Sequence, residues 1–301
     1  MSPIASVVLP VCNGQRYLEL AIASVLTQTF REFELLLLDD GSTDRSLTIM
    51  RAAAERDARC RVYSWPNRGL VATLNAGVEL ARGDIVVRMD ADDVCRPRRF
   101  ERQMGFLKEH AHCVAVGSYV QFIDPDGLPL FEPELQQFHA DIDKSLLTNG
   151  FGIAHPASAI RKSALSAVGG YLSKYPHAED LDLFLRLSEV GGLANIPEIL
   201  LDYRQHMGSV CYQKAASQFE SANRAVADAL ARRGHRVERP QQLLEPKSVP
   251  KNYADVYKLW GWWALKAGNV ATARRHAVAS VLRQPASWSS WLLLACAVRG
   301  H

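Results

Sequence analysis

The sequence predicts an α/β fold: a doubly wound, mostly parallel sheet flanked by helices and followed by a helical C-terminal region. Three observations lead there. Short apolar runs alternate with helix-like segments through the first hundred residues. Polar clusters stand directly after three of those runs. From about Tyr212 the pattern becomes helical throughout.

The elements follow in order. Strands are expected at Ala5–Leu9, Glu34–Leu38, Arg61–Ser64 and Ile85–Met89. Helices are expected between them at Arg16–Gln28, Asp44–Arg56 and Leu70–Ala81, and after them at Pro97–Lys108. Beyond residue 110 the rhythm loosens. Val114–Ile123 reads as a strand and Asp124-Pro125-Asp126-Gly127 as a turn, while 128–150 shows no clear period. An amphipathic helix follows at 178–187, then a strand within 195–206. Helices are expected at 213–233, 252–267, 270–283 and 287–298, with a Pro-rich linker at 240–250. The expected division is an α/β domain over 1–212, itself in two halves that meet near residue 110, and a helical region over 213–301. Trp260 to Asn269 with the alanines after it resembles one helical-hairpin repeat. Such a repeat cannot bury its own face and needs a surface to pack on.

Composition narrows the function classes. Apolar residues make up 48% of the 301, enough for a full core. Net charge is only +3, but residues 222–301 carry 13 Lys and Arg against 4 Asp and Glu, a net of +9. An acidic body with a basic tail fits a metal site in the first and an anionic surface, such as phospholipid, near the second. No zinc or RNA-binding signature marks the tail, so nucleic acid is not expected. The six cysteines form no CxxC pair and read as reduced core thiols of a cytoplasmic protein. No signal peptide is read at the N-terminus, and no run reaches the roughly 18 apolar residues of a membrane span. No GxGxxG follows a strand, which removes the dehydrogenase reading.

The polar clusters carry the chemistry. Asp90-Ala91-Asp92-Asp93 follows the apolar run Ile85–Met89. Three carboxylates in four residues repel one another, and a hard divalent cation relieves them. Oxygen-only ligands suit Mg²⁺ or Mn²⁺, which normally bring phosphates. The other reading is a solvated acidic turn in which Asp93 caps the next helix. Context favours the metal. Pro10-Val11-Cys12-Asn13-Gly14 and Asp39-Asp40-Gly41-Ser42-Thr43-Asp44 close two other strands, and folds of this class bind ligands beyond strand carboxyl ends.

Several segments together resemble the family 2 glycosyltransferases, whose fold is called GT-A. They are SVVLPVCNG, LLLLDDGSTD, NRGLVATLNAGVELARGDIVVRMDADD, HPASAIRKSALSAVGGY, AEDLDLFLRL and YRQHMGS, in order over roughly residues 4–210. The resemblance implies an inverting transfer of sugar from a nucleotide diphosphate donor, UDP-sugar first, to an acceptor hydroxyl in surface polysaccharide or glycolipid synthesis. It makes Asp39 the acceptor for the uracil N3–H, and sets Pro10, Val11, Cys12, Asn13, Asp40, Asn67, Gly69 and Asn75 around the nucleotide. Asp90 becomes a ribose-side contact, Asp92 the direct metal ligand and Asp93 a helix cap. Asp180 becomes the catalytic base, its pKa expected to be lowered by the helix macrodipole. His206 joins Asp92 as a metal ligand for Mn²⁺ or Mg²⁺, or else is structural. Arg88, His155, Glu179 and Arg204 stand on the diphosphate or acceptor side, or brace loops. One departure stands out: relatives often have Arg before the Asn at 75, where this chain has Leu74, so Arg68 or Arg88 is expected to substitute. The implied partners are the donor, a saccharide or lipid-linked acceptor, and an inner membrane face touched peripherally by the basic tail. A nucleotidyltransferase and a non-catalytic binding module are the rival readings. The first would want a basic, Gly-rich loop after strand one, and the second would not need Asp92 and Asp180.

Overall fold

The structure is a computed structural model describing residues 3–236, 243–245, 250 and 252–300. The chain divides into two compact units. Unit 1 holds Met1–Tyr119, Leu135–Leu201 and Ala216–Glu245, and unit 2 holds Val120–Glu134, Asp202–Ala215 and Pro246–His301. This division departs from the expected boundary at 212. The Pro-rich linker expected at 240–250 lies largely outside the described residues.

In unit 1, four strands run parallel: β1 (Ala5–Val11), β2 (Phe33–Asp40), β3 (Cys60–Trp65) and β4 (Ile85–Arg88). The helices between them are α1 (Leu18–Leu26), α2 (Ser46–Arg56) and α3 (Leu70–Leu80). All of β1 and β2 is buried, so both read as unbroken apolar runs instead of alternating ones. Gly77 of α3 lets helix and sheet approach closely. A Cβ there would lie 2.6 Å from Val8 Cγ1 and 2.8 Å from Leu38 Cδ1.

The sheet then stops being parallel. The strand order is β3-β2-β1-β4-β8-β6-β9-β5, with β5 at Val94–Cys95, β6 at Cys113–Ile123, β8 at Ala159–Arg161 and β9 at Gly192–Arg204. Strand β8 is antiparallel to both β4 and β6. Neither β8 nor β5 was expected; at three and two residues they are too short to show a period. The remaining helices of unit 1 are α4 (Arg99–Glu109), α5 (His139–Asn149), α6 (Lys162–Ala167) and α7 (Glu179–Leu187). Helix α5 lies where no period was read. Helix α9 (Ala215–Arg232) also belongs mostly to unit 1, where Ala222, Ala225, Val226 and Ala229 enter the same core as Leu165, Leu181 and Phe184. That burial sets α9 in unit 1.

Strands β6 and β9 carry the chain from unit 1 into unit 2. There β7 (Pro129–Phe131) pairs with the end of β6, and the short α8 (Val210–Gln213) follows β9. Helices α10 (Tyr253–Lys266), α11 (Val270–Arg283) and α12 (Trp288–Arg299) match their expected spans closely. Their core joins Trp260, Ala264, Ala273, Ala277, Leu293 and Ala297 to Leu130 of β7. The helical hairpin thus finds its packing surface in β7, inside the stretch without period. A buried contact ties the same unit together: His276 Nε2 lies 3.0 Å from Asp124 Oδ2, both nearly inaccessible. Asp124 Oδ1 also accepts the N–H groups of Asp126 and Leu128, closing the turn before β7.

Candidate active site

The site is built at the carboxyl ends of β1, β2 and β4, all within unit 1. Parallel pairing sets Val11 beside Asp39, and Asp39 beside Ser64. Asp39 is buried; its Oδ1 accepts from the Ser42 N–H at 3.1 Å and its Oδ2 from the Ser64 hydroxyl at 2.7 Å. Asp40 has a different task. Its two oxygens accept the N–H groups of Arg68 and Gly69 at 2.9 and 3.0 Å, and its carbonyl accepts from Asn67 Nδ2. It pins the 67–69 loop across the strand ends. Neither aspartate caps α2, where Asp44 Oδ1 accepts the Ser46 N–H instead.

Asn13 takes a left-handed backbone, φ 56°. From there its Oδ1 accepts the N–H of Thr43 at 2.8 Å, while its own N–H donates to Ser42 Oγ. It stitches the loop after β1 to the loop after β2, and both stay exposed. Cys12 is exposed too, with Asn67 Nδ2 at 3.5 Å from its Sγ, so it is not the core thiol expected. Cys60, Cys95 and Cys113 are buried as expected, and Cys296 is partly so. The Cys211 side chain lies outside the described residues.

Beyond β4 stands the acidic cluster. Ligand oxygens of Asp90, Asp92 and Asp93 all lie within 4.8 Å of one another. An all-oxygen carboxylate set at that spacing suits Mg²⁺ or Mn²⁺. The cap assigned to Asp93 is not made: α4 begins at Arg99, and its cap position is Arg98. Asp93 instead lies fully buried in the cluster.

Arg88 sits under these carboxylates. It is 2% exposed, and its Nη2 is 2.6 Å from Asp90 Oδ1. Its charge is felt by Asp90, Glu179, Asp180, Tyr171 and His155, which places the head of α7 around the same guanidinium. Burial pushes the Glu179 carboxyl up to about 7, helped by the charge of Asp180. Burial also raises Asp180, against the N–H bond it accepts from Leu181. The macrodipole was expected to lower it; desolvation outweighs that effect here.

His155 is held by residues that the sequence did not single out. Its Nε2 is 2.8 Å from the Tyr171 hydroxyl, and burial with Arg88 nearby keeps its pKa well below 6.5. The imidazole is therefore neutral at pH 7. Tyr171 is fixed in turn by Asn75, which braces the loop at 171. Arg99 and Gln103 of α4 brace the floor. Arg99 Nη2 donates to the Arg88 carbonyl at 2.8 Å, and Gln103 Nε2 to the Ala157 carbonyl at 2.7 Å. Tyr171 had one sequence signal, its place after the Gly169-Gly170 turn. Arg99 and Gln103 had none, since a helix interior hides which face meets the sheet.

The Leu74 departure has a simple cause. Leu74 is fully buried in the core, where an arginine would go unsolvated. Of the two substitutes, Arg68 lies over the Trp65 ring at 3.7 Å, and Arg88 stands at the carboxylates. His206 and Arg204 belong to unit 2. The His206 Nδ1 accepts the Gly208 N–H at 3.1 Å, and Arg204 Nη1 donates to the carbonyls of Asp124 and Pro125, both at 3.1 Å.

Comparison with known proteins identifies the family and the fold. The family model described as Glycosyl transferase family 2 matches residues 6–169. An uncharacterized glycosyltransferase of Haemophilus influenzae is 29% identical over 215 residues, covering 68% of this chain and 66% of its own length. The O-antigen biosynthesis glycosyltransferase WbnJ of Escherichia coli is 30% identical over 233 residues, covering 76% of this chain and 89% of its own. Among solved structures, mannosyltransferase PcManGT from Pyrobaculum calidifontis, in complex with GDP-Man and Mn²⁺, superposes with a TM-score of 0.59 at 17% identity. That match covers 100% of this chain and 87% of that one. TarS 1-349 of S. aureus in complex with UDP gives 0.57 at 15% identity, covering 99% and 92%. The chain is a glycosyltransferase with a GT-A fold, and it belongs to glycosyltransferase family 2.

Proposed function

We propose that this enzyme moves a sugar from a nucleotide diphosphate donor, UDP-sugar first, to an acceptor hydroxyl with inversion, in the assembly of a surface polysaccharide or glycolipid. One observation carries the reading. The acidic cluster Asp90–Asp92–Asp93 stands beyond β4, and the buried Arg88 pairs with its Asp90 while its charge also reaches the carboxylates Glu179 and Asp180. The relatives add support: WbnJ is named for O-antigen biosynthesis, PcManGT was solved with GDP-Man and Mn²⁺, and TarS with UDP.

Each residue has a task in that reaction. Asp39 receives the imide N–H of the base, since each carboxylate oxygen keeps a second lone pair. Asn13, Cys12 and the loop pinned by Asp40 line the nucleotide. Asp92, with Asp93 and Asp90, holds the divalent cation, and Arg88 keeps the ribose-side Asp90 in place. When bound, the cation offsets charge on the departing diphosphate. Asp180 accepts the proton of the acceptor hydroxyl as that oxygen bonds to the anomeric carbon and the diphosphate bond breaks. Burial makes it a better base than an ordinary aspartate. One displacement from the face opposite the leaving group inverts the centre, through an oxocarbenium-like state.

A donor panel with Mn²⁺ tests this, following nucleotide release. UDP-sugars should give UDP, and EDTA should stop it. Formation of nucleoside triphosphate and sugar 1-phosphate when pyrophosphate is added, or no nucleoside diphosphate from any donor, would overturn the reading.

A further inference from the structure

Helix α12 carries its apolar residues on the wrong side for a soluble helix. The face turned to the unit 2 core holds small residues and one leucine: Ser290, Leu293 and Ala297 are buried there. Leu294 and Cys296 pack partly against the same core, while four other apolar side chains point to solvent. Trp288 is 79% exposed, Trp291 47%, Leu292 45% and Val298 61%. At 100° per residue these positions form a single stripe, with the exposed Ala295 in its centre and Arg299 at its C-terminal end. Packing within unit 2 leaves this stripe uncovered, because the core needs only the small face.

Helix α11 extends the same pattern. Its outer face carries Arg274 and Arg275, then Val278 and Leu282, the last 75% exposed. The short connection at 284–287 brings Leu282, Arg283 and Trp288 to one end of the hairpin. Charge identifies the occupant. Residues 267–301 hold four arginines and no acidic residue; Arg275 pairs with Asp126 and Arg283 lies over the Tyr257 ring, so the charge beside the α12 stripe is that of Arg274 and Arg299. A protein partner with an apolar groove would not require that one-sided charge, whereas an anionic bilayer would. Tryptophan and arginine also suit the headgroup layer, where a ring is buried and a polar tip stays wet. Among the described residues no helix is long and apolar enough to cross a membrane, so this contact lies on the surface.

We infer that the α11–α12 hairpin is a membrane-surface anchor. The stripe Trp288, Trp291, Leu292, Ala295 and Val298 enters the interface of an anionic phospholipid bilayer, with Arg299 in the stripe and Arg274, bonded to the Ala297 and Val298 carbonyls, at its C-terminal end toward the headgroups. The contact is a property of α11 and α12 and is independent of the sugar-transfer site.

Flotation of the full chain with vesicles tests it. Mixed phosphatidylglycerol and phosphatidylcholine vesicles should carry the protein at about 0.1 M salt and release most of it at about 1 M, where screening is strong. Pure phosphatidylcholine vesicles should carry much less. The double variant Trp288→Ser, Trp291→Ser should bind roughly tenfold more weakly, a change of about 1.4 kcal/mol. Nucleotide release from a soluble donor should stay at the wild-type level. Leu292→Ser serves as a milder second variant and should lower flotation in the same direction. Wild-type protein that fails to float on anionic vesicles overturns the inference. So do serine variants that float equally well, or a stripe whose only effect is self-association, seen as a dimer by light scattering that the variants dissolve.

Discussion

Asn75 and Tyr171 exchange two hydrogen bonds: Asn75 Nδ2 donates to the Tyr171 carbonyl and Tyr171 N–H donates to Asn75 Oδ1, both at 2.9 Å. The pair joins α3 to the turn before α7 across 96 residues of chain, and through the Tyr171 hydroxyl it orients His155. Asn75→Ala leaves both backbone groups of Tyr171 without a partner. The expected loss is about 1–3 kcal/mol, read as a fall in midpoint in urea unfolding. Asn75→Asp loses only the donor to the carbonyl and should fall between that variant and wild type.

Arg88 is the buried cation on which the site's carboxylates depend. Arg88→Met keeps the stem and removes the charge. Because Asp90 remains partly exposed, the stability cost should be about 1–3 kcal/mol, less than for a fully buried pair. Sugar transfer should fall at least a hundredfold, since Asp90, Glu179 and Asp180 lose their shared counter-charge. A steady-state assay beside a thermal melt separates the two effects.

Glu179 sets a pH dependence of stability. Its carboxyl is pushed up to about 7 by burial, from an ordinary value of 4.5. The folded protein therefore binds this proton more tightly than the unfolded chain does. Stability from this group is complete below pH 4.5 and declines as pH rises toward 7. Glu179→Gln removes the cost of the buried charge. In metal-free protein at pH 8 it should gain on the order of 1–3 kcal/mol over wild type, and the gain should shrink steadily toward pH 5. Melting temperatures across that range provide the check.

The second unit has its own weak point. Asp124 accepts two backbone N–H groups and pairs with buried His276. Asp124→Ala frees all of them at once and leaves the imidazole facing an apolar site beside Trp260 and Tyr257. A loss of about 3–5 kcal/mol is expected, seen first in the near-ultraviolet dichroism of the tryptophan-rich helices.

Much of the fold was legible because strands β1, β2 and β4 are short apolar runs with polar groups at their ends. The place of the candidate site was legible for the same reason: Asp39 and the Asp90–Asp93 stretch mark strand ends. What was hidden had weak local signals. Strand β8 reverses direction in three residues and takes its place from its neighbours β4 and β6. Residues 128–150 lack a period, yet they supply β7, on which the C-terminal helices pack. Asp93 looked like a cap because it precedes a helix, but the turn at 91–92 keeps it in the cluster. Asp40's hold on the 67–69 loop was hidden, because that loop lies far from it in sequence. The raised state of Asp180 was unreadable, since burial is a property of the folded chain.

The central claim is the division of labour between Asp92 and Asp180. Its most direct measurement is UDP binding with Mn²⁺ by calorimetry, set beside sugar transfer, for Asp92→Ala and Asp180→Asn. Asp180→Asn should bind UDP as wild type does while transfer falls by about 10² to 10⁴, the usual worth of a general base. Asp92→Ala should lose the Mn²⁺-dependent part of UDP binding and transfer together. Full transfer by Asp180→Asn, or unchanged Mn²⁺-dependent binding by Asp92→Ala, would contradict the account.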